Sequence, residues 1–129
     1  MRKSQQADTP TDAELSILKV LWQRGPSTVR EVFDAIAPEK HIGYTAILKL
    51  MQIMATKGLV SRDDSERAHV YRAEQSEEYA QRRLTGDFVA KVFGGSSQQL
   101  VLQALATHKA SAEELAEIRR LLDELEGNA

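Results

Sequence analysis

Cysteine is absent from this chain of 129 residues. Disulfides, thiolate metal sites and cysteine nucleophiles are excluded with it. No apolar run approaches the ~20 residues that a membrane-spanning helix needs. Residues 1–12, MRKSQQADTPTD, have no apolar core, so a signal peptide is not expected and the cytoplasm is the expected compartment. An HExxH pair, a GxSxG turn and a Lys-bearing phosphate loop are missing too. His41, His69 and His108 lie far apart in different predicted elements, which is not metal-ligand spacing. The acidic pairs Asp63/Asp64, Glu77/Glu78 and Glu113/Glu114 fall at turns and helix starts, where solvation and the helix dipole account for them. Gly94-Gly95 lacks the flanking strand of a phosphate loop and reads as a helix break. Neither an enzyme nor a resident metal or cofactor is expected. There is no internal repeat and no low-complexity tract.

The most informative absence is local. The chain has 19 acids against 17 Lys and Arg, yet His41 to Arg62, HIGYTAILKLMQIMATKGLVSR, contains no acid. Ile47, Leu50, Met51 and Met54 recur there at helical spacing, and Gly58 sits where a helix would end. The opposite face carries Thr45, Lys49, Gln52 and Thr56. Short hydroxyl, amide and ammonium groups without a carboxylate suit a helix lying in a DNA major groove. An ordinary amphipathic helix with a solvated back would show the same spacing. The charge is also unevenly spread: +1 over residues 1–75 and -3 over residues 76–129, against -2 in all. A polyanion is therefore expected to meet the first part, and protein the second.

In order along the chain, residues 1–9 read as disordered. Thr11-Asp12-Ala13-Glu14 fits a capping box that opens a first helix, with Leu15, Leu18, Leu21 and Trp22 on one side. Arg24-Gly25-Pro26 stops it. Thr28-Val29-Arg30-Glu31 repeats the pattern and opens a second helix, which buries Val29, Val32, Phe33 and Ile36 and ends at Pro38. The third helix follows. Leu59 to Arg62 and His69 to Arg72 then read as strands around the polar turn Asp63-Asp64-Ser65-Glu66. The hairpin makes Arg62, Arg67 and Arg72 available on its exposed side. Acids at its tip suit phosphate poorly, unless they form the turn and leave contacts to the arginines. Three helices and a two-stranded hairpin in that order describe a winged helix-turn-helix at residues 10–75, with the third helix as groove reader.

From Ser76 the chain is helical. One segment runs to about Phe93 with Tyr79, Leu84, Phe88, Val89 and Val92. A shorter one holds Leu100, Val101, Leu102 and Leu105. Ser111-Ala112-Glu113-Glu114 caps a last helix, where Leu115, Ile118, Leu122 and Leu125 form a short heptad-like seam beside Leu121. Three such helices over residues 76–129 lack a sufficient core of their own. Packing against a second copy is the simplest use of Phe88, Val92, Leu100, Leu102, Leu105 and the seam; folding back on the first domain is the other. The expected fold class is mostly α with a small β-hairpin: a winged helix-turn-helix domain followed by a helical dimerisation domain. The expected function is DNA binding by a homodimer. The rival is a winged-helix protein-interaction module without specific DNA binding.

The chain also resembles the penicillinase repressors, the BlaI/MecI group of winged-helix regulators, over about residues 10–125. The carriers are Thr11-Asp12-Ala13-Glu14-Leu15, Val20-Leu21-Trp22 and Thr28-Val29-Arg30-Glu31-Val32. They continue in Gly43-Tyr44-Thr45-Ala46-Ile47, Lys57-Gly58-Leu59-Val60 and Arg67-Ala68-His69-Val70-Tyr71. Val92-Phe93-Gly94-Gly95 with Leu100-Val101-Leu102 completes the series. The resemblance implies a homodimeric transcriptional repressor on an inverted-repeat operator of β-lactamase or cell-wall stress genes. It also implies derepression by proteolysis, triggered through a membrane metalloprotease sensor. By position, Tyr44, Thr45 and Lys49 fall on the operator-reading part of the third helix, and Gln52 further along the same face. Lys57, Arg62, Arg67 and Arg72 are the expected phosphate contacts. Ala46 and Ile53 stand where the family often has Thr and Arg. The cleaved Asn-Phe bond of well-known members aligns with Gln103-Ala104. The cysteine-rich tail of the copper-responsive branch is absent.

Overall fold

The computed structural model describes residues 9–127; the expected disordered segment 1–9 lies, apart from Thr9, outside them. In chain order the elements are α1 (Asp12–Arg24), β1 (Ser27–Thr28), α2 (Val29–Lys40), α3 (Tyr44–Lys57), β2 (Val60–Asp63), β3 (Val70–Ala73), α4 (Glu77–Phe93), α5 (Ser97–Thr107) and α6 (Ala112–Leu125). The chain is mostly helical with one small sheet, as its periodicity indicated. No helix among the described residues is long and apolar enough to cross a membrane. By compactness the chain divides within α4, into a unit up to Leu84 and a second from Thr85.

Each expected capping box is formed. Glu14 N–H donates to Thr11 Oγ1 at 3.2 Å while Thr11 N–H donates to Glu14 Oε1 at 2.9 Å. Thr28 with Glu31, and Ser111 with Glu114, make the same reciprocal pair. Such a cap is worth ~1 kcal/mol, because it satisfies amides that have no intrahelical partner. At the far ends, Gly25 closes α1 and Gly58 closes α3 at φ 87°, a left-handed conformation that glycine adopts without a Cβ clash.

The first unit is built on the apolar stripes of three helices. Ile17, Leu18 and Leu21 of α1, Val29, Val32 and Ile36 of α2, and Ile47, Met51 and Met54 of α3 meet in one core. Leu59, Val60 and Tyr71 close it from the hairpin. Leu15, Trp22, Phe33 and Leu50 are half-buried around it, so the α1 stripe centres on Ile17 and Leu18 rather than on Leu15 and Trp22. The indole N–H of Trp22 donates to Gln75 O at 2.9 Å, tying the hairpin's exit to α1.

Two expectations need correction. Pro38 does not end α2; it lies inside the helix, which runs on to Lys40 and His41. Pro38 sits in the last turn, where the missing N–H costs a single bond. The turn is finished by His41 in the left-handed region at φ 54°, its N–H donating to Ala37 O at 3.0 Å. The hairpin is also not alone. Ser27 and Thr28 form β1, and the sheet has the antiparallel order β1-β3-β2. A two-residue strand has no periodicity to read.

The second unit has little core of its own. Among its described residues only Val89 is a buried hydrophobic. Phe88 and Phe93 pack edge to face with ring centroids 5.7 Å apart. Leu100, Leu115 and Ile118 are half-buried, whereas Phe88, Val92, Leu102, Leu105, Leu122 and Leu125 are exposed in the single chain, Leu125 by 74%.

Candidate nucleic-acid interface

The sequence places no acid in α3, and its fold turns the resulting polar face outward. Ile47, Met51 and Met54 are buried, which at ~100° per residue leaves Thr45, Lys49, Gln52 and Thr56 on the far side. All four are exposed. Gly43 supplies no side-chain cap, and no acid occupies the first turn. The positive end of the helix dipole is therefore not offset by a carboxylate of α3.

Beside this face runs an open groove of ≈ 350 Å³ between the start of α2, α3 and the hairpin loop. Tyr44, Gln52, Arg62 and Arg67, four of the expected site residues, line it together, with Arg30 and His69. Sequence reasoning read Arg30 only as part of a capping box. In the structure its guanidinium lies 4.8 Å from the Tyr44 ring centroid and 5.4 Å from that of Phe33. Tyr44 and Phe33 in turn pack edge to face at 5.7 Å. Stacking of a cation on two rings narrows its range of positions. Tyr44 is fourteen residues away on another helix, so no local spacing could reveal this. Asp34 is the nearest carboxylate to Arg30, at 3.8 Å and exposed.

The hairpin's acids are placed in two ways. Asp63 forms the turn, accepting Ser65 N–H at 2.9 Å; that bond, then the Ser65 hydroxyl, lowers its pKa, with help from Arg72. Asp64 instead grips Arg62, with Nε–Oδ1 at 2.7 Å and Nη2–Oδ2 at 3.2 Å, and has His69 Nδ1 at 3.6 Å. Hydrogen bonding to Tyr71 first, and to Asp64 second, holds the Arg62 pKa above its ordinary value. The three arginines do not share one side. Arg62 pairs with Tyr71 and Ser61 with Arg72 in the register, so Arg62 and Arg72 point to opposite faces of the hairpin.

Lys57 is engaged elsewhere. Its Nζ donates to both carboxylate oxygens of Glu14, at 2.8 and 2.9 Å, and Glu14 is 2% exposed. The capping acid of α1 thus doubles as a buried counter-ion for the end of α3. The capping box hid that second role, because only the tertiary fold brings residues 14 and 57 together.

In the second unit, Gln103 and Ala104 lie in the regular turns of α5 and are exposed. Among the described residues no cluster of His, Asp or Glu is arranged to hold a metal ion.

Residues 10–124 match the family model described as penicillinase repressor. The transcriptional regulator BlaI of Mycobacterium tuberculosis (strain CDC 1551 / Oshkosh) is 31% identical over 116 residues, which cover 89% of this chain and 83% of that protein. The penicillinase repressor of Bacillus licheniformis is 24% identical over 114 residues, covering 88% and 89%. The methicillin resistance regulatory protein MecI of Staphylococcus aureus (strain N315) is 21% identical over 113 residues, covering 88% and 92%. The family match takes in all three helices, the hairpin and nearly all of the C-terminal helices, and with it this chain belongs to the penicillinase repressor family of transcriptional regulators.

Proposed function

We propose that this protein is a cytoplasmic homodimeric repressor whose α3 enters the major groove of an inverted-repeat operator. The observation that carries the reading is the acid-free outer face of α3, with Thr45, Lys49 and Gln52 exposed beside a groove edged by Arg30, Arg62 and Arg67. Thr45, Lys49 and Gln52 approach base edges, and Tyr44 positions the helix start. Arg62 and Arg67 meet phosphate, and Arg30, held on the Tyr44 ring, joins them. Lys57 serves the core through Glu14, and Arg72 lies on the hairpin face away from Arg62, so neither is needed for this contact.

The relatives' names, penicillinase repressor and methicillin resistance regulatory protein, support control of β-lactamase genes, and control of cell-wall stress genes belongs to the same proposal. Relief by proteolysis within the C-terminal helices, triggered through a membrane metalloprotease sensor, belongs to the same proposal. The Gln103-Ala104 bond sits inside α5, so cutting there requires that helix to open locally.

The test is an electrophoretic shift with DNA from the protein's own upstream region, against scrambled competitor at two salt concentrations. A competitor-resistant shift with dimer stoichiometry supports the repressor. Weak binding that vanishes with salt leaves a merely basic surface and favours a winged helix that binds protein.

A further inference from the structure

The polar outer face of α3 has an apolar edge. Ile53 is 41% exposed, and within residues 10–75 Tyr44 is the only other large hydrophobic that is exposed. A single exposed isoleucine is unremarkable on most surfaces. Its position here makes it informative. At ~100° per residue, Ile53 and Ala46 fall within ~20° of each other around the helix, with Lys49 between them along the axis. Both are exposed, and both stand along one edge of the face that carries Thr45, Lys49 and Gln52, ~100° around the helix from Thr45 and Gln52 and ~50° from Lys49. The reading helix thus presents two apolar points flanking one ammonium.

Building on the repressor reading above, we infer that Ala46 and Ile53 select thymines through the 5-methyl group. In the major groove that methyl is the only apolar mark on a base edge, and an apolar side chain is its complement. Cytosine carries only hydrogen at that position, so the side chain loses the contact there. The two side chains are seven residues apart, a rise of ~10.5 Å along the helix. That distance spans roughly three base steps at 3.4 Å each. Each half-site therefore holds two methyl-bearing contacts about three steps apart, with the Lys49 contact between them. Ile53 is the larger of the two and covers its methyl more completely.

Deoxyuridine isolates the methyl, because it keeps every hydrogen-bonding group of thymidine and the backbone charge. The experiment takes the DNA selected by the full-length protein from a random pool and replaces its thymidines one at a time by deoxyuridine. Wild type should lose about fourfold in affinity at each of two positions per half-site, the ~0.8 kcal/mol of one buried carbon group. Ile53→Ala, which removes the contact at both half-sites of the dimer, should bind the thymidine duplex about sixteenfold more weakly and be insensitive to deoxyuridine at one of the two positions in each half-site only. Tight, selective binding that no deoxyuridine replacement weakens would overturn the methyl inference and leave the repressor standing. So would an Ile53→Ala protein with the wild-type deoxyuridine profile. Failure to select any DNA sequence would overturn the repressor reading, and this inference with it.

Discussion

A carboxylate buried as deeply as that of Glu14 needs a cation, and Lys57 provides it from another helix. Removing one partner of such a pair strands the other, which costs ~3–5 kcal/mol, more than most surface changes. Lys57 is a quarter exposed, so the lower end of that range applies. Lys57→Ala should therefore lower the thermal midpoint clearly, while leaving the salt dependence of DNA binding unchanged. A lowered salt slope with normal stability would return Lys57 to the phosphate contacts. Asp63 offers a pH test at the same scale. Hydrogen bonding to Ser65 holds its folded pKa below the ordinary carboxylate value. The turn it stabilises is therefore complete above that value and is lost as the pH falls through the lowered one. Slow exchange of the Ser65 amide should disappear in that acid range, and Asp63→Asn should weaken protection already at neutral pH. A Ser65 amide indifferent to both changes would mean the bond does not hold the turn.

At the scale of elements, the proposed function gives α3 and the hairpin different parts in recognition. A side chain meeting a base edge distinguishes sequences, whereas one meeting phosphate binds all of them. Lys49→Ala should weaken operator binding by roughly 1–3 kcal/mol per half-site and affect random DNA much less. Arg67→Ala should weaken both and reduce the salt slope by about one unit for each protomer of the dimer. Titrations of the two variants on operator and random duplexes separate these outcomes; equal losses on both duplexes for both variants would sink the division. The groove also explains why Arg62 makes the poorer probe: Asp64 already occupies its guanidinium, so a phosphate has to compete for it.

For the whole molecule, the second unit leaves several apolar side chains uncovered in the single chain. Leu122 is 52% exposed and Leu125 74% in the single chain, on a helix whose Ile118 is only half-buried. In the proposed dimer a second copy would remove that surface from water, at ~25 cal/mol for each Å² of apolar area. Leu122→Glu places a carboxylate in the seam and should convert a sedimenting dimer into monomers, with operator binding weakened because the two half-sites are no longer engaged together. An unchanged sedimentation coefficient would place the interface elsewhere on α4 to α6.

Much of this was legible in the chain itself, for physical reasons that act locally. Thr11, Thr28 and Ser111 each announce a helix because their caps are made with a residue three positions on. The buried stripe of α3 and its acid-free back follow from the 3.6-residue period alone. Relations between distant segments could not be read that way. Whether Arg62 and Arg72 share a face depends on a register set by pairing across the hairpin. Ser27 and Thr28 form a strand only because β3 is there to pair with. Arg30 joins the groove because α2 and α3 cross with Tyr44 beneath it, and Lys57 leaves the candidate interface because the fold carries it to Glu14. The sequence alone thus determined which helices form and what chemistry each face carries. Only the tertiary structure decided which charges are paired and which stay exposed, since a charge is engaged or spared by its neighbours in space.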